Sequence, residues 1–205
     1  MSRRLVLASR SPQRRAILEQ VGVDFEVAAP DVEELTEGDP AAVVVANALR
    51  KARAVAEPAP DRPGARRGVR GAEPPVGYPP VLGCDTEVVL DGRVYGKPHD
   101  EREAERFLRE LSGRQHHVVS GLALVDGGRE VTATAWTGVT FRRLDEPTLR
   151  WYLGSGEWRE RAGGYAIQAR GAALVAAVDG DYLNVVGLPL ATLLELTPSL
   201  PLLHR

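Results

Sequence analysis

Few polar side chains interrupt the apolar runs of this chain, and the charged ones are of two chemical kinds. Arg14, Lys51 and Lys97 are cations able to hold the successive negative charges of a phosphate chain. Glu34 and Asp85 are carboxylates able to hold a divalent cation or to take a proton from water. Cations and a base together suit hydrolysis of a phosphoanhydride. Ser9, Ser11, Thr86 and Gln168 add neutral donors and acceptors at strand ends and adjoining loops, where open α/β sheets keep their ligands.

Competing chemistries lack their residues. There is no Gly-x-x-x-x-Gly-Lys-Ser/Thr loop, which excludes a P-loop nucleotidase, and no Gly-x-Ser-x-Gly elbow. Cys84 has no obvious histidine partner. His116 and His117 are adjacent, so a strand points them to opposite sides and a joint metal site is not expected. Lys and Arg number 26 against 28 Asp and Glu, a net charge of −2 that calls for neither a nucleic acid nor an acidic membrane partner. The single cysteine cannot form an internal disulfide framework and fits a reducing cytosol. No apolar leader or membrane-length run is found, so a cytoplasmic protein is expected, folded as one domain over residues 1–205.

The elements that must position these residues follow in order. Leu5–Ala8 reads as a short buried strand. Ser11-Pro12 then starts a helix over 12–20, with a hydroxyl at the N-cap and proline at the first position. Its first turn offers unpaired N–H groups beside Arg14 and Arg15, which makes either a phosphate cradle or an ordinary capped helix with solvated arginines. A strand over 25–28 leads to the acidic loop Asp31-Val32-Glu33-Glu34, and Asp39-Pro40 opens a helix to about Ala56 that carries Lys51. Residues 57–80, rich in Pro, Gly and Arg, read as a mobile surface insertion.

Val81–Thr86 is a buried strand that delivers Asp85. Strands over 87–90 and 93–96 flank Asp91-Gly92, a type I′ hairpin signal. Strict register there pairs Thr86 with Lys97 and sends Asp85 and Lys97 to opposite sides. The ladder must therefore end or bulge near Gly96 if both are to reach one phosphate chain. Asp100 and Glu103 open a helix whose Ala104, Phe107, Leu108 and Leu111 share one face. A second hairpin over 117–125 and 129–137, strands over 138–142 and 172–178, a helix over 146–153 and a last helix from Gly187-Leu188-Pro189 complete the chain, with Trp151 and Tyr152 expected in the core. Helices alternating with strands early and hairpins later predict an α/β fold with a mixed, twisted sheet and flanking helices.

Six motifs now stand in order: Ser9-Arg10-Ser11-Pro12-Gln13-Arg14, Gly83-Cys84-Asp85-Thr86, Gly96-Lys97-Pro98, Leu111-Ser112-Gly113, Ala162-Gly163-Gly164-Tyr165-Ala166-Ile167-Gln168 and Asp181-Tyr182-Leu183-Asn184-Val185-Val186-Gly187-Leu188-Pro189. Together they resemble the Maf family of nucleotide pyrophosphatases over nearly the whole chain. The resemblance implies a fold like that of inosine triphosphate pyrophosphatases, with two lobes around a cleft. It also implies hydrolysis of a nucleoside triphosphate to the monophosphate and pyrophosphate with Mg²⁺ or Mn²⁺, in the cytoplasm, and a homodimer as a family expectation. By the same resemblance Asp85 is the proton acceptor, Ser11, Arg14, Glu34, Lys51 and Lys97 line the phosphate and metal region, and Glu34 and Asp85 take the metal.

Substrate choice in that family is associated with positions that map to Gln13, Thr86 and Gln168. The dTTP/UTP group usually has Arg, Thr and Gln there, and the 7-methyl-GTP group Trp, Gln and Glu. Thr86 and Gln168 match the first group and Gln13 matches neither, so the resemblance favours dTTP and UTP. The same chemistry on modified nucleotides such as 7-methyl-GTP, or a non-catalytic nucleotide-binding regulator of septum formation, are the alternatives. Further departures are Arg161 for lysine, Ala169 for glycine and Ser120 for threonine.

Overall fold

The computed structural model describes residues 4–56 and 79–197, so all but the last two residues of the expected 57–80 insertion lie outside the described residues. The elements are β1 (Leu5–Ala8), α1 (Pro12–Gln20), β2 (Phe25–Ala28), α2 (Pro40–Ala56), β3 (Val81–Leu90), β4 (Arg93–Tyr95), α3 (Glu101–Leu111), β5 (Gln115–Asp126), β6 (Arg129–Phe141), α4 (Glu146–Leu153), β7 (Val175–Asp179), α5 (Tyr182–Val186) and α6 (Leu190–Leu196). The strands form one sheet in the order β2-β1-β3-β5-β6-β7, with β4 paired to β3. β1 runs parallel to β2 and β3, and the remaining pairs are antiparallel. This is the mixed sheet that the alternation predicts.

Local signals act where they are expected. The Ser11 hydroxyl accepts from the Arg14 N–H as the N-cap of α1, and Asp100 caps α3 by accepting from the Glu103 N–H at 2.8 Å. Asp91 and Gly92 both take positive φ, as a type I′ turn requires. Three expectations need correction. β3 and β6 are each one continuous strand, because β5 pairs with nearly the full length of both. Residues 169–174 form a 3₁₀ turn before β7; Gly171 packs so closely on the Ala166 carbonyl that a Cβ would lie 1.7 Å from its oxygen. Trp151 is 46% exposed while Tyr152 is fully buried, since a short surface helix buries one face and neighbouring positions point about 100° apart.

Side chains alternate across β3, and the two faces meet different partners. On one face Gly83 and, opposite Asp85, Gly121 of β5 leave room for α2 to lie on the sheet backbone. A Cβ on Gly83 would fall 2.0 Å from the Ala48 oxygen, and one on Gly121 2.4 Å from the Val44 carbonyl. On the other face Leu82 and Cys84 join the core of α1 and α6, whereas Val88 and Leu90 join a separate core built with α3 and α4. Thr86 stands on that face between the two cores.

One edge of β3 is only partly paired. β5 occupies the other edge from Val81 to Val89. On this edge β1 pairs only with residues 81–83 and β4 only with 88–90, which leaves 84–87 without a strand partner.

Candidate active site

Asp85 sits in that open stretch, just past the carboxyl end of β1, where a parallel sheet keeps its ligand crevice. It is 5% exposed. Its Oδ1 accepts from Lys51 Nζ at 2.6 Å and its Oδ2 from Asn47 Nδ2 at 2.9 Å. Burial pushes its carboxyl up, but the Lys51 charge, the hydrogen bonds from Lys51 and Asn47 and the Arg14 charge outweigh it and hold the group below the usual carboxylate range. Asp85 is thus held as an ionised carboxylate, and the cations that hold it so also lower its basicity.

α2 supplies the partners. Asn47, Arg50 and Lys51 fall at i, i+3 and i+4 on one helix face, and the glycine floor lets that face descend to β3. Lys51 Nζ also lies 2.7 Å from Glu34 Oε1, so one ammonium joins the loop after β2 to β3. That loop is pinned to α2 by the Asn47 side chain against the Leu35 backbone and by Arg50 Nη1 on the Glu33 carbonyl. Glu87, two residues beyond Asp85 on the same face, has a buried Oε2 with no hydrogen-bond partner. Burial first, then the Asp85 and Glu34 charges, push its carboxyl up to about 7.

Thr86 faces the opposite side, among a second set. Arg14 is buried, and its guanidinium donates to the Gly187 and Cys84 carbonyls, to Ser9 Oγ and to Thr86 Oγ1. Four of its five N–H groups are thus spent on protein, which makes Arg14 a clasp between α1, β3 and the turn after α5. Thr86 Oγ1 also pairs with the fully buried Ser120 Oγ at 2.8 Å. Ser11 Oγ, besides capping α1, donates to Gln13 Oε1 at 3.2 Å.

The predicted residues therefore gather in two groups back to back across β3. Glu34, Lys51 and Asp85 meet on the α2 face, and Ser11, Gln13, Arg14 and Thr86 meet on the α1 face. Two stand apart. The β3–β4 ladder does end at Tyr95, as the register argument requires, yet the Lys97 side chain is 60% exposed and its described ion pair is with Glu160 at 3.6 Å. Gln168 is exposed at the start of the 3₁₀ turn, followed by Ala169 at φ 53°. Asn47 and Glu87 escaped the sequence reading, although both carry a periodic signal: Asn47 is four residues before Lys51 on a helix, and Glu87 is two after Asp85 on a strand.

The competing nucleophile and metal ligands are accounted for. The Cys84 thiol is buried, pushed up by that burial, and directed at the Gly187 carbonyl. His116 is buried and hydrogen-bonded to the Tyr165 hydroxyl, while His117 packs on Trp136 from the other side of β5. Among the described residues no three His, Cys, Asp or Glu side chains form a ready-made cation cage. The carboxylates available to the divalent ion that the resemblance implies are Glu34, Asp85 and Glu87. Glu34 and Asp85 already converge on one cation, the Lys51 ammonium, and the unpartnered Glu87 oxygen lies nearby on the strand. Such a set suits an ion that completes its shell with substrate phosphates, as Mg²⁺ commonly does. No helix among the described residues is long and apolar enough to cross a membrane.

Comparison with known proteins adds three findings. A family model described as "Maf-like protein" matches residues 4–200. The dTTP/UTP pyrophosphatase of Symbiobacterium thermophilum is 47% identical over 190 residues, covering 91% of this chain and 88% of that protein. Those of Moorella thermoacetica and Dictyoglomus turgidum are 45% and 39% identical, each covering 94% of this chain and 93% or 94% of its own. The Staphylococcus aureus Ham1 protein structure matches over 67% of this chain and 71% of its own, with 15% identity and a TM-score of 0.40, a likeness that supports no argument.

Proposed function

This chain belongs to the Maf-like protein family, and from that premise we propose that it hydrolyses nucleoside triphosphates, dTTP and UTP foremost, to the monophosphate and pyrophosphate. The observation that carries the chemistry is Asp85, a buried and ionised carboxylate in the open stretch of β3 with a lysine and an amide on its two oxygens. Each oxygen keeps a second lone pair, so Asp85 can accept a proton from water without breaking either bond.

The other roles follow from what each side chain has left to offer. Lys51 spends two of its three N–H groups on Glu34 and Asp85, and the third meets a phosphate oxygen. Lys97, exposed and weakly tethered, turns to the same phosphate chain. Aimed positive charge of this kind, in a site shielded from water, often supplies the largest share of the rate. A Mg²⁺ or Mn²⁺ ion held by Glu34, Asp85 and the phosphates would neutralise further charge. Arg14 and Ser11 keep the α1 N-terminus at the cleft, where its N–H groups attract an anion. The nucleotide lies across the open edge of β3, with phosphates toward Asp85 and Lys51 and the base toward Thr86, Gln13 and Gln168. A glutamine amide offers the donor and acceptor that a pyrimidine edge requires.

The same reading takes the cytoplasm as the compartment and free nucleotides as substrates, without nucleic acid or membrane partners. A homodimer is the assembly to seek by light scattering. The deciding experiment incubates the full chain with dTTP, UTP, CTP and 7-methyl-GTP in turn, with Mg²⁺ or Mn²⁺ and then with EDTA, and measures pyrophosphate. Release from dTTP and UTP that chelation abolishes is the expected result. Orthophosphate as product, or no turnover of any triphosphate, overturns the activity; preferential turnover of 7-methyl-GTP overturns the substrate.

A further inference from the structure

We propose that Asn47 is a positioning residue for this reaction, one buried amide that holds the Glu34 loop and the Asp85 carboxylate in a single register. The inference rests on the pyrophosphatase reading for the role of Asp85. Asn47 is 1% exposed on α2, and its whole donor capacity is used. Oδ1 accepts from the Leu35 N–H at 2.7 Å, and Nδ2 donates to the Leu35 carbonyl at 2.9 Å and to Asp85 Oδ2 at 2.9 Å.

The chemistry leaves no second orientation. The ionised Asp85 only accepts, so the amide nitrogen must face it, and the Leu35 N–H only donates, so the amide oxygen must face that. The side chain thus pairs with both backbone groups of Leu35 as a neighbouring strand would, in a loop that has no strand there. Glu34, adjacent to Leu35, is thereby delivered to Lys51, one helical turn beyond Asn47. Without Asn47 the buried Asp85 would keep Lys51 on Oδ1 alone, free to turn about its side-chain bonds. An orienting partner of this kind commonly changes activity by about 10–100-fold when lost.

Two measurements test this. In the wild-type full chain, hydrogen exchange should show the Leu35 amide at least about 100-fold slower than its neighbours Glu33 and Glu37, although all three lie in an exposed loop. If Leu35 exchanges as fast as they do, the bridge does not exist and the proposal falls, whatever the enzyme's activity. Asn47→Ala, assayed with dTTP well below its melting temperature, should lose about 10–100-fold in kcat with KM within about threefold. A kcat within about twofold of wild type in the folded variant would make Asn47 merely structural and overturn the proposal. Failure of wild type to release pyrophosphate would sink the activity, while the exchange result still decides the bridge.

Discussion

Asp85 and Glu87 project from the same face of β3, two residues apart, and their surroundings drive their carboxyl groups in opposite directions. Lys51 and Asn47 close on Asp85 and keep it ionised. Glu87 has a buried oxygen with no partner and feels the negative charge of Asp85 and Glu34, so its neutral form is favoured. Environment, not residue type, separates the two acids.

Asp85→Asn should keep the shape and remove the proton acceptor. Turnover of dTTP should fall by about 10²–10⁴-fold, the usual contribution of a positioned base. Near-ultraviolet circular dichroism should match wild type. An Asn variant that remains active would move the base elsewhere.

Glu87→Gln has a pH signature. The Glu87 carboxyl titrates near 7 in the folded protein against an ordinary 4.5, so the folded state binds the proton more tightly than the unfolded chain. Stability owed to the protonated form is complete below about pH 4.5 and is lost as pH rises to about 7. Glutamine mimics the neutral acid and escapes this loss. Urea midpoints should therefore coincide near pH 4.5 and diverge upward, with the variant more stable by at most roughly 3 kcal/mol at pH 8. A pH-independent difference would contradict the assigned environment.

Gly121→Ala should push α2 off the sheet, because the new methyl would fall 2.4 Å from the Val44 carbonyl with only backbone to yield. A loss of about 1–3 kcal/mol is expected in chemical denaturation. Turnover should fall as well, since Asn47 and Lys51 ride on the displaced helix. Stability lost with turnover intact would detach the helix seat from the site.

Ala169→Gly should relieve strain beside Gln168. Ala169 is exposed and left-handed at φ 53°, a conformation that costs an L-residue about 1–2 kcal/mol, part of which the greater freedom of unfolded glycine offsets. A net gain of about 0.5–1 kcal/mol should appear in thermal melts. A lower melting temperature would show that the Cβ packs usefully.

Much of the fold is legible because its signals are short-range. Ser11-Pro12, Asp100 with Glu103 and Asp91-Gly92 act within a few residues of themselves, and each forms the cap or turn expected. The extents of β3 and β6 were not legible, since continuity there depends on β5 pairing along both. The site was half legible: its charged residues stood out against apolar runs, whereas Asn47 looked like one more polar residue in a helix and Glu87 like the start of a hairpin.

The sequence by itself determined which chemistry is available, through residue types, motif order and the local rules that start and stop each element. Only the tertiary structure decided what each group meets. It turned Arg14 inward onto the Gly187 carbonyl 173 positions away and brought Lys51 onto Asp85 across 34. A side chain's charge state and hydrogen-bond partners depend on which distant groups exclude water from it, and that is a property of packing rather than of neighbours in the chain.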